Sequence, residues 1–361
     1  MNKAIAITLT VGLCSTPALA QDGPLTPDAA PTMPVNDNAG AEEVRGDELT
    51  PETRAAIDRG LAWLSTRQGD DGNFGGGRRG GSAITSVSAI AFMSAGHLPG
   101  RGRYGQQVSR AVDAVLDQAQ PSGLLCDQEA GGVMYHHGFA TLLLGEVYGM
   151  TADARVKEPL RRAVRLIEQS QNPQGGWRYQ PVPIEADISV TICQVMGLRA
   201  ARDAGIKVEK QTIDDAVQYV RDCQNPDGGF NYMLGSSSSS AFARSAAGVA
   251  TLYYAGVSEG EAVENGLEYV MRSLPGREIN ARTPHYFYGH YYAAQAAFLS
   301  GGDYWATWYP AIRDELLSRQ QEDGSWTGEQ SSDEYCTAMA LIILQMPNRY
   351  LPVFSGKGAG S

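Results

Sequence analysis

From Pro51 onward the chain alternates two kinds of helical pattern. One kind is amphipathic, with apolar residues three and four apart: Ile57, Leu61, Leu64; Val108, Val112, Val115; Val156, Leu160, Val164, Ile167; Ile213, Val217, Val220; and Val263, Leu267, Val270, Leu274. Charged residues fill the opposite side, so each stripe predicts a helix exposed on one face. The other kind is small and apolar nearly all round, over residues 83–95, 138–148, 188–200, 241–255, 288–299 and 335–346. A helix with no polar face must be buried on every side. With a sixth exposed helix expected before Gln320, six exposed and six buried helices, alternating, predict an all-α protein.

Each exposed stripe leads into a glycine turn. The pattern Gln-x-x-x-Gly-x-aromatic stands at Gln68–Gly72–Phe74, Gln171–Gly175–Trp177, Gln224–Gly228–Phe230 and Gln320–Gly324–Trp326. Weaker copies, Gln120-Pro121-Ser122-Gly123 and Met271 to Gly276, fill the two long gaps and give a period of about fifty residues. Glycine allows the tight turn from exposed to buried helix. An open stack of helix pairs needs capping repeats, yet the last unit ends in Leu351-Pro352-Val353-Phe354 without one. The pattern therefore predicts a closed double ring over 51–354, inner helices parallel about an axis and outer helices running back.

That motif, at that spacing and on helix pairs, resembles the repeat of squalene cyclases and of protein prenyltransferase beta subunits, over roughly residues 51–352. The resemblance implies an α6–α6 toroid. It implies less about activity, because the toroid also serves as a non-catalytic module in thioester proteins of the complement type. Their Gly-Cys-Gly-Glu-Gln is missing, since Gly328-Glu329-Gln330 lacks the cysteine.

Outside the repeats, Lys3, the apolar run from Ala4 to Leu13 and Ala18-Leu19-Ala20 predict a signal peptide over 1–20, hence export to a periplasmic or extracellular space. Residues 21–50 hold four prolines and seven acids against Arg45 alone and predict a disordered linker; 355–361 predict a disordered tail. The formal charge of −11 argues against nucleic acid as a partner. No later stretch approaches the ~18 apolar residues of a membrane span, so no integral segment is expected after signal cleavage. Cys193 and Cys336 fall in apolar helical patterns, where buried thiols are expected.

In a closed ring all inner helices start at one mouth, where unpaired N–H groups and the positive ends of the helix dipoles collect. The sequence places there Ser82, Thr85, His136, His137, Asp187, Ser189, Thr191, Ser240, Arg244, His285, Tyr286, Tyr288, His290, Asp333, Glu334, Tyr335 and Cys336. Ser, Thr and Asp also serve as plain N-caps. Four of the five histidines fall at two of these ends, which singles them out. The ligand-binding candidates are His136, His137, Asp187, Arg244, His285, Tyr286, His290 and Tyr335; Asp187, His136 and His285 are the candidates for catalysis.

The resemblance suggests two chemistries. Cyclases of this family protonate an alkene with Asp-x-Asp-Asp-Thr, whose middle acid gives the proton; here the segment reads Asp187-Ile188-Ser189-Val190-Thr191. A serine hydroxyl is too weak an acid for that step. Prenyltransferases hold zinc on Asp-x-Cys and a histidine; here Asp333 and Cys336 are three apart on one helix face, with His290 as a third ligand, so zinc is the one cofactor suggested. Toroids of this kind also act on polysaccharides, which would need paired carboxylates among Asp187, Glu185 and Asp333. The reading is an exported protein holding a small apolar molecule, an isoprenoid or other lipid, in its central cup, reaction undetermined. The alternatives are a prenyltransferase or terpene cyclase/mutase-type enzyme with altered residues, and a non-catalytic module for a polypeptide partner.

Overall fold

A computed structural model describes residues 48–75, 81–127, 131–236, 238–276, 284–328 and 332–354. The signal peptide, most of the acidic linker, the heart of the Gly75–Gly81 loop and the tail lie outside the described residues. Among the described residues twelve α-helices follow in order: α1 Pro51–Ser65, α2 Gly81–Ser94, α3 Gly105–Asp117, α4 Val133–Thr151, α5 Ala154–Ser170, α6 Ile188–Asp203, α7 Lys210–Asp222, α8 Phe242–Tyr254, α9 Glu261–Met271, α10 Tyr286–Ser300, α11 Gly302–Arg319 and α12 Asp333–Gln345. Even-numbered helices pack on one another as an inner ring, α2 on α4, α4 on α6, α6 on α8, α8 on α10, α10 on α12 and α12 back on α2. Each odd-numbered helix lies outside, against its inner neighbour.

The motif explains why the ring holds this shape. In every complete copy the glutamine amide donates twice, once to its own turn and once to the next outer helix. Gln171 Nε2 reaches Gly175 O and Thr212 O, both at 2.8 Å. Gln68 does the same with Gly72 and Gln107, and Gln224 with Gly228 and Ala262. Gln320 closes the circle by donating to Ala56 in α1, 2.8 Å away. The turn glycine presses against the same neighbouring helix: a Cβ on Gly175 (φ +98°) would lie 2.1 Å from Asp215 O. Only glycine tolerates both that dihedral and that approach. Trp177 and Trp326 are fully buried, their indole N–H groups donating to Ile167 O and Leu316 O at 2.8 Å.

One inner-helix position locks each turn. The backbone N–H of Phe74, Trp177, Phe230 and Trp326 donates to the hydroxyls of Thr85, Thr191, Ser245 and Thr337. These residues therefore face the outer layer, and Thr85 and Thr191 are turn locks rather than caps or mouth groups. With an α-helical period, the opposite face of each inner helix looks into the lumen. One turn below the mouth that face carries Val87, Phe139, Cys193, Ala247, Tyr292 and Met339, none more than 4% exposed. Contacts span the ring there: the Phe139 and Tyr291 rings lie 6.4 Å apart, and Cys193 Sγ lies 3.4 Å from Tyr292 Oη. The far end is sealed by the turn Pro352–Phe354, which packs on α6 and α10. The Val353 N–H donates to Glu146 Oε1 on α4 at 3.2 Å. Side chains of opposite inner helices thus meet across the lumen one turn below the mouth.

Candidate functional site

Asp187 stands immediately before α6 in extended conformation, which lets Oδ1 accept the Val190 N–H at 2.9 Å as an N-cap. The carboxyl is fully buried, and Oδ2 has no hydrogen-bond partner. Burial pushes its pKa up to about 6, against the opposing pull of the Val190 N–H, Arg178 and the Tyr232 hydroxyl. Asp187 therefore exchanges its proton close to neutrality. A half-satisfied buried carboxyl is costly to the fold and asks for a partner.

Arg178, Tyr135 and Tyr232 lie close enough to interact with its charge, and Tyr179 is tied to Tyr232. Arg178 and Tyr179 directly follow Trp177, and Tyr232 follows Phe230 by two residues, so the third and fourth motifs deliver them to one place. Backbone bonds fix both loops: Met134 N–H donates to Tyr179 O at 3.0 Å and Ile188 N–H to Tyr232 O at 3.1 Å. The Tyr179 and Tyr232 hydroxyls are hydrogen-bonded to each other. The Arg178 guanidinium lies 5.0 Å from the Tyr179 ring centroid and 5.8 Å from that of Tyr232. It also donates to Met233 Sδ and lies 3.4 Å from Glu185. From α4, the Tyr135 ring stands 6.1 Å from that of Tyr179. Burial, then the nearby Asp187 charge, raises the pKa of the Tyr135 hydroxyl. Across the mouth, Tyr288 Oη donates to Ser189 O at 2.9 Å.

The histidine-centred expectation fares differently. His137 is fully buried facing the outer layer: Nδ1 accepts the Leu125 N–H and Nε2 lies 3.3 Å from Ala163 O. It fills the lock position held elsewhere by Thr85 or Thr191, and burial drives its pKa down to about 4. His290 occupies the same helical position in α10, packed on Tyr286, Phe242 and Trp308 and away from the lumen. Tyr286 also turns outward, donating to Glu315 Oε1 at 3.2 Å beneath Arg319. His136 Nδ1 accepts the Ala83 N–H at 3.2 Å, tying α4 to α2. His285 is exposed, with a left-handed φ of 61°. Arg244 is spent on its own loop, bonding Phe230 O and Ser239 O. Tyr335 remains half-buried on the lumen face of α12.

The zinc set does not assemble. Asp333 is exposed, Cys336 is fully buried with Sγ against Gly328, and His290 faces Trp308. Among the described residues no three His, Cys, Asp or Glu side chains come within metal-binding reach. Cys126, Cys193, Cys223 and Cys336 are free and buried. Of the carboxylates considered as a pair, Glu185 is exposed beside Arg178 and Asp333 is exposed at the start of α12. No described helix is long and apolar enough to cross a membrane.

The family model for the squalene-hopene cyclase C-terminal domain matches residues 141–279, the arc that carries Asp187, Arg178 and Tyr232. A type II terpene cyclase, MstE from Scytonema, solved with geranylgeranyl dihydroxybenzoate, superposes with a TM-score of 0.56 at 15% identity, covering 84% of this chain and 99% of that one. An inactive variant of the α-1,6-mannanase GH76A of Salegentibacter sp. HEL1_6, solved with α-1,6-mannotetrose, superposes with a TM-score of 0.63 at 9% identity, covering 83% and 100%. Among curated proteins none matches the chain by sequence. The fold is a squalene cyclase-like α/α toroid, shared in outline by terpene cyclases and mannanases.

Proposed function

We propose that this chain is an exported toroid that binds a small, largely apolar ligand at the mouth of the ring, with Asp187 at the ligand's polar end. The observation that carries this reading is the Asp187 carboxyl, fully buried with one oxygen unpartnered and with Tyr135 and Tyr232 near its charge. The neighbouring terpene cyclase, solved with a prenylated aromatic substrate, supports an apolar ligand. Because side chains meet across the lumen below the mouth, only a short part of a lipid or isoprenoid enters the ring. Alkene protonation has little support, since Ser189 and Val190 stand where the cyclase motif needs acids.

A non-catalytic interaction module is the second reading, and the contacts across the lumen favour it. Solvent extraction of the mature protein, purified from the extracytoplasmic fraction of its own host, separates the two when followed by mass spectrometry. The binding reading expects one small molecule per chain, lost in Asp187→Asn. A clean extract from wild type would overturn it and leave the module.

A further inference from the structure

Six arginines in the described residues lie over aromatic rings, and Arg178 alone covers two. The two rings, Tyr179 and Tyr232, are held as a unit by their hydroxyl bond, and Tyr135 adds a third ring 6.1 Å from Tyr179. Close to Tyr135, Tyr232 and Arg178 is the buried Asp187 carboxyl, whose charge acts on them and whose Oδ2 has no hydrogen-bond partner. Tyrosine faces around a carboxylate attract organic cations, through the ring quadrupole and through direct charge. The single side chain that occupies this place is itself a cation. Arg178 is tethered only at its periphery, by Met233 Sδ and by Glu185, whose side chain is 59% exposed.

We infer that the mouth is a seat for an organic cation of the quaternary ammonium class, and that Arg178 is its resident substitute, displaced outward when the ligand head enters between Tyr135, Tyr179 and Tyr232 near Asp187. The inference rests on the mouth-binding reading and deepens it by naming the charge of the ligand's polar end. A quaternary ammonium makes no hydrogen bonds, so it suits rings better than a chain of polar partners. It also brings to Asp187 a charge of the opposite sign. The same head chemistry occurs in a free choline-like solute and in a choline lipid headgroup.

The groups facing Asp187 keep one charge state around neutrality. Burial raises the pKa of Tyr135, Tyr219, Tyr232 and Tyr288 and pushes Cys193 and Cys223 up to about 12; Arg178 and the exposed Glu185 complete the set. Ionisation of Asp187, whose pKa burial pushes up to about 6, is therefore expected to raise cation affinity about tenfold from pH 5 to pH 7.

The test is isothermal titration calorimetry of the folded chain with choline chloride at pH 7.5, against sodium chloride as blank. Wild type binds weakly because Arg178 competes. Arg178→Ala, a partly exposed position, binds at least tenfold tighter. Asp187→Asn keeps the cap, since Asn serves as well there, and loses the binding; circular dichroism verifies that both variants are folded. Phosphatidylcholine micelles against phosphatidylglycerol micelles separate a lipid headgroup from a free solute. Absence of choline heat in Arg178→Ala, or equal heat in Asp187→Asn, overturns the inference. A neutral ligand extracted from wild type and lost in Asp187→Asn would overturn the inference while leaving the mouth-binding reading intact.

Discussion

Two buried carboxyls line opposite ends of this ring, and the contrast between them separates a site from a seal. Asp187 at the mouth and Glu146 at the base are both buried, both accept one backbone N–H, and both leave the second oxygen unpartnered. Burial pushes Asp187 up to about 6 and Glu146 up to about 8. Their surroundings differ. Glu146 meets the chain's own terminal turn through Val353, with the buried Arg199–Asp203 pair nearby. Asp187 meets tyrosine rings and an arginine delivered by two loops at the rim, and the loop after Tyr179 carries exposed Val182 and Ile184. An orphaned oxygen sealed by the fold is a structural cost, whereas one flanked by rim side chains is a candidate for a ligand.

That contrast can be broken most forcefully between the layers, where a change should reach both ends alike. Trp177→Ala removes a buried indole and its bond to Ile167 O, and is expected to cost about 3–5 kcal/mol, read as a fall in thermal midpoint. Gly175→Ala forces an L-residue to φ +98° against Asp215 O and is expected to cost about 2 kcal/mol or more. Neither should discriminate between mouth and base.

Acidity distinguishes the two ends. Each carboxyl has a folded pKa above its ordinary value, so the native state holds the proton more tightly than the unfolded chain. Stability is fully present at low pH and declines as pH rises, through about 6 for Asp187 and about 8 for Glu146. The declines are on the order of 3 and 5 kcal/mol. Denaturant melts between pH 4 and pH 9 should show Glu146→Gln flattening the upper part of the slope and Asp187→Asn the lower part. A Glu146→Gln protein with an unchanged upper slope would contradict the assignment. The smallest effect is expected from Tyr179→Phe, which removes only the hydroxyl tie to Tyr232 and should cost under about 1.5 kcal/mol. It should nevertheless loosen the surroundings of Asp187, visible as faster carbodiimide labelling of that side chain.

The helix pairs, their order and the closed ring were readable because hydrophobic period and the glutamine–glycine motif report the same geometry at every unit. The mouth was only partly readable. Asp187 stood out at an inner-helix start, but His137 did not announce itself as a lock, because its repeat has a shorter turn and replaces a hydroxyl with an imidazole. Arg178, Tyr179 and Tyr232 were missed since attention to helix starts passes over the loops that feed them. A signal was present: in the third and fourth motifs alone a tyrosine stands two residues after the aromatic, as Trp177-Arg178-Tyr179 and Phe230-Asn231-Tyr232. Glu146 was likewise visible as the lone acid of an apolar inner helix, though nothing local tells that Val353, distant in sequence, would cover it.

Native mass spectrometry of three proteins made in the original host, wild type, Asp187→Asn and Glu146→Gln, tests the central claim most directly. The account predicts a retained small-molecule mass on wild type and on Glu146→Gln, and a bare chain for Asp187→Asn. A bare wild type, or the same retained mass on Asp187→Asn, would contradict a ligand site at the mouth.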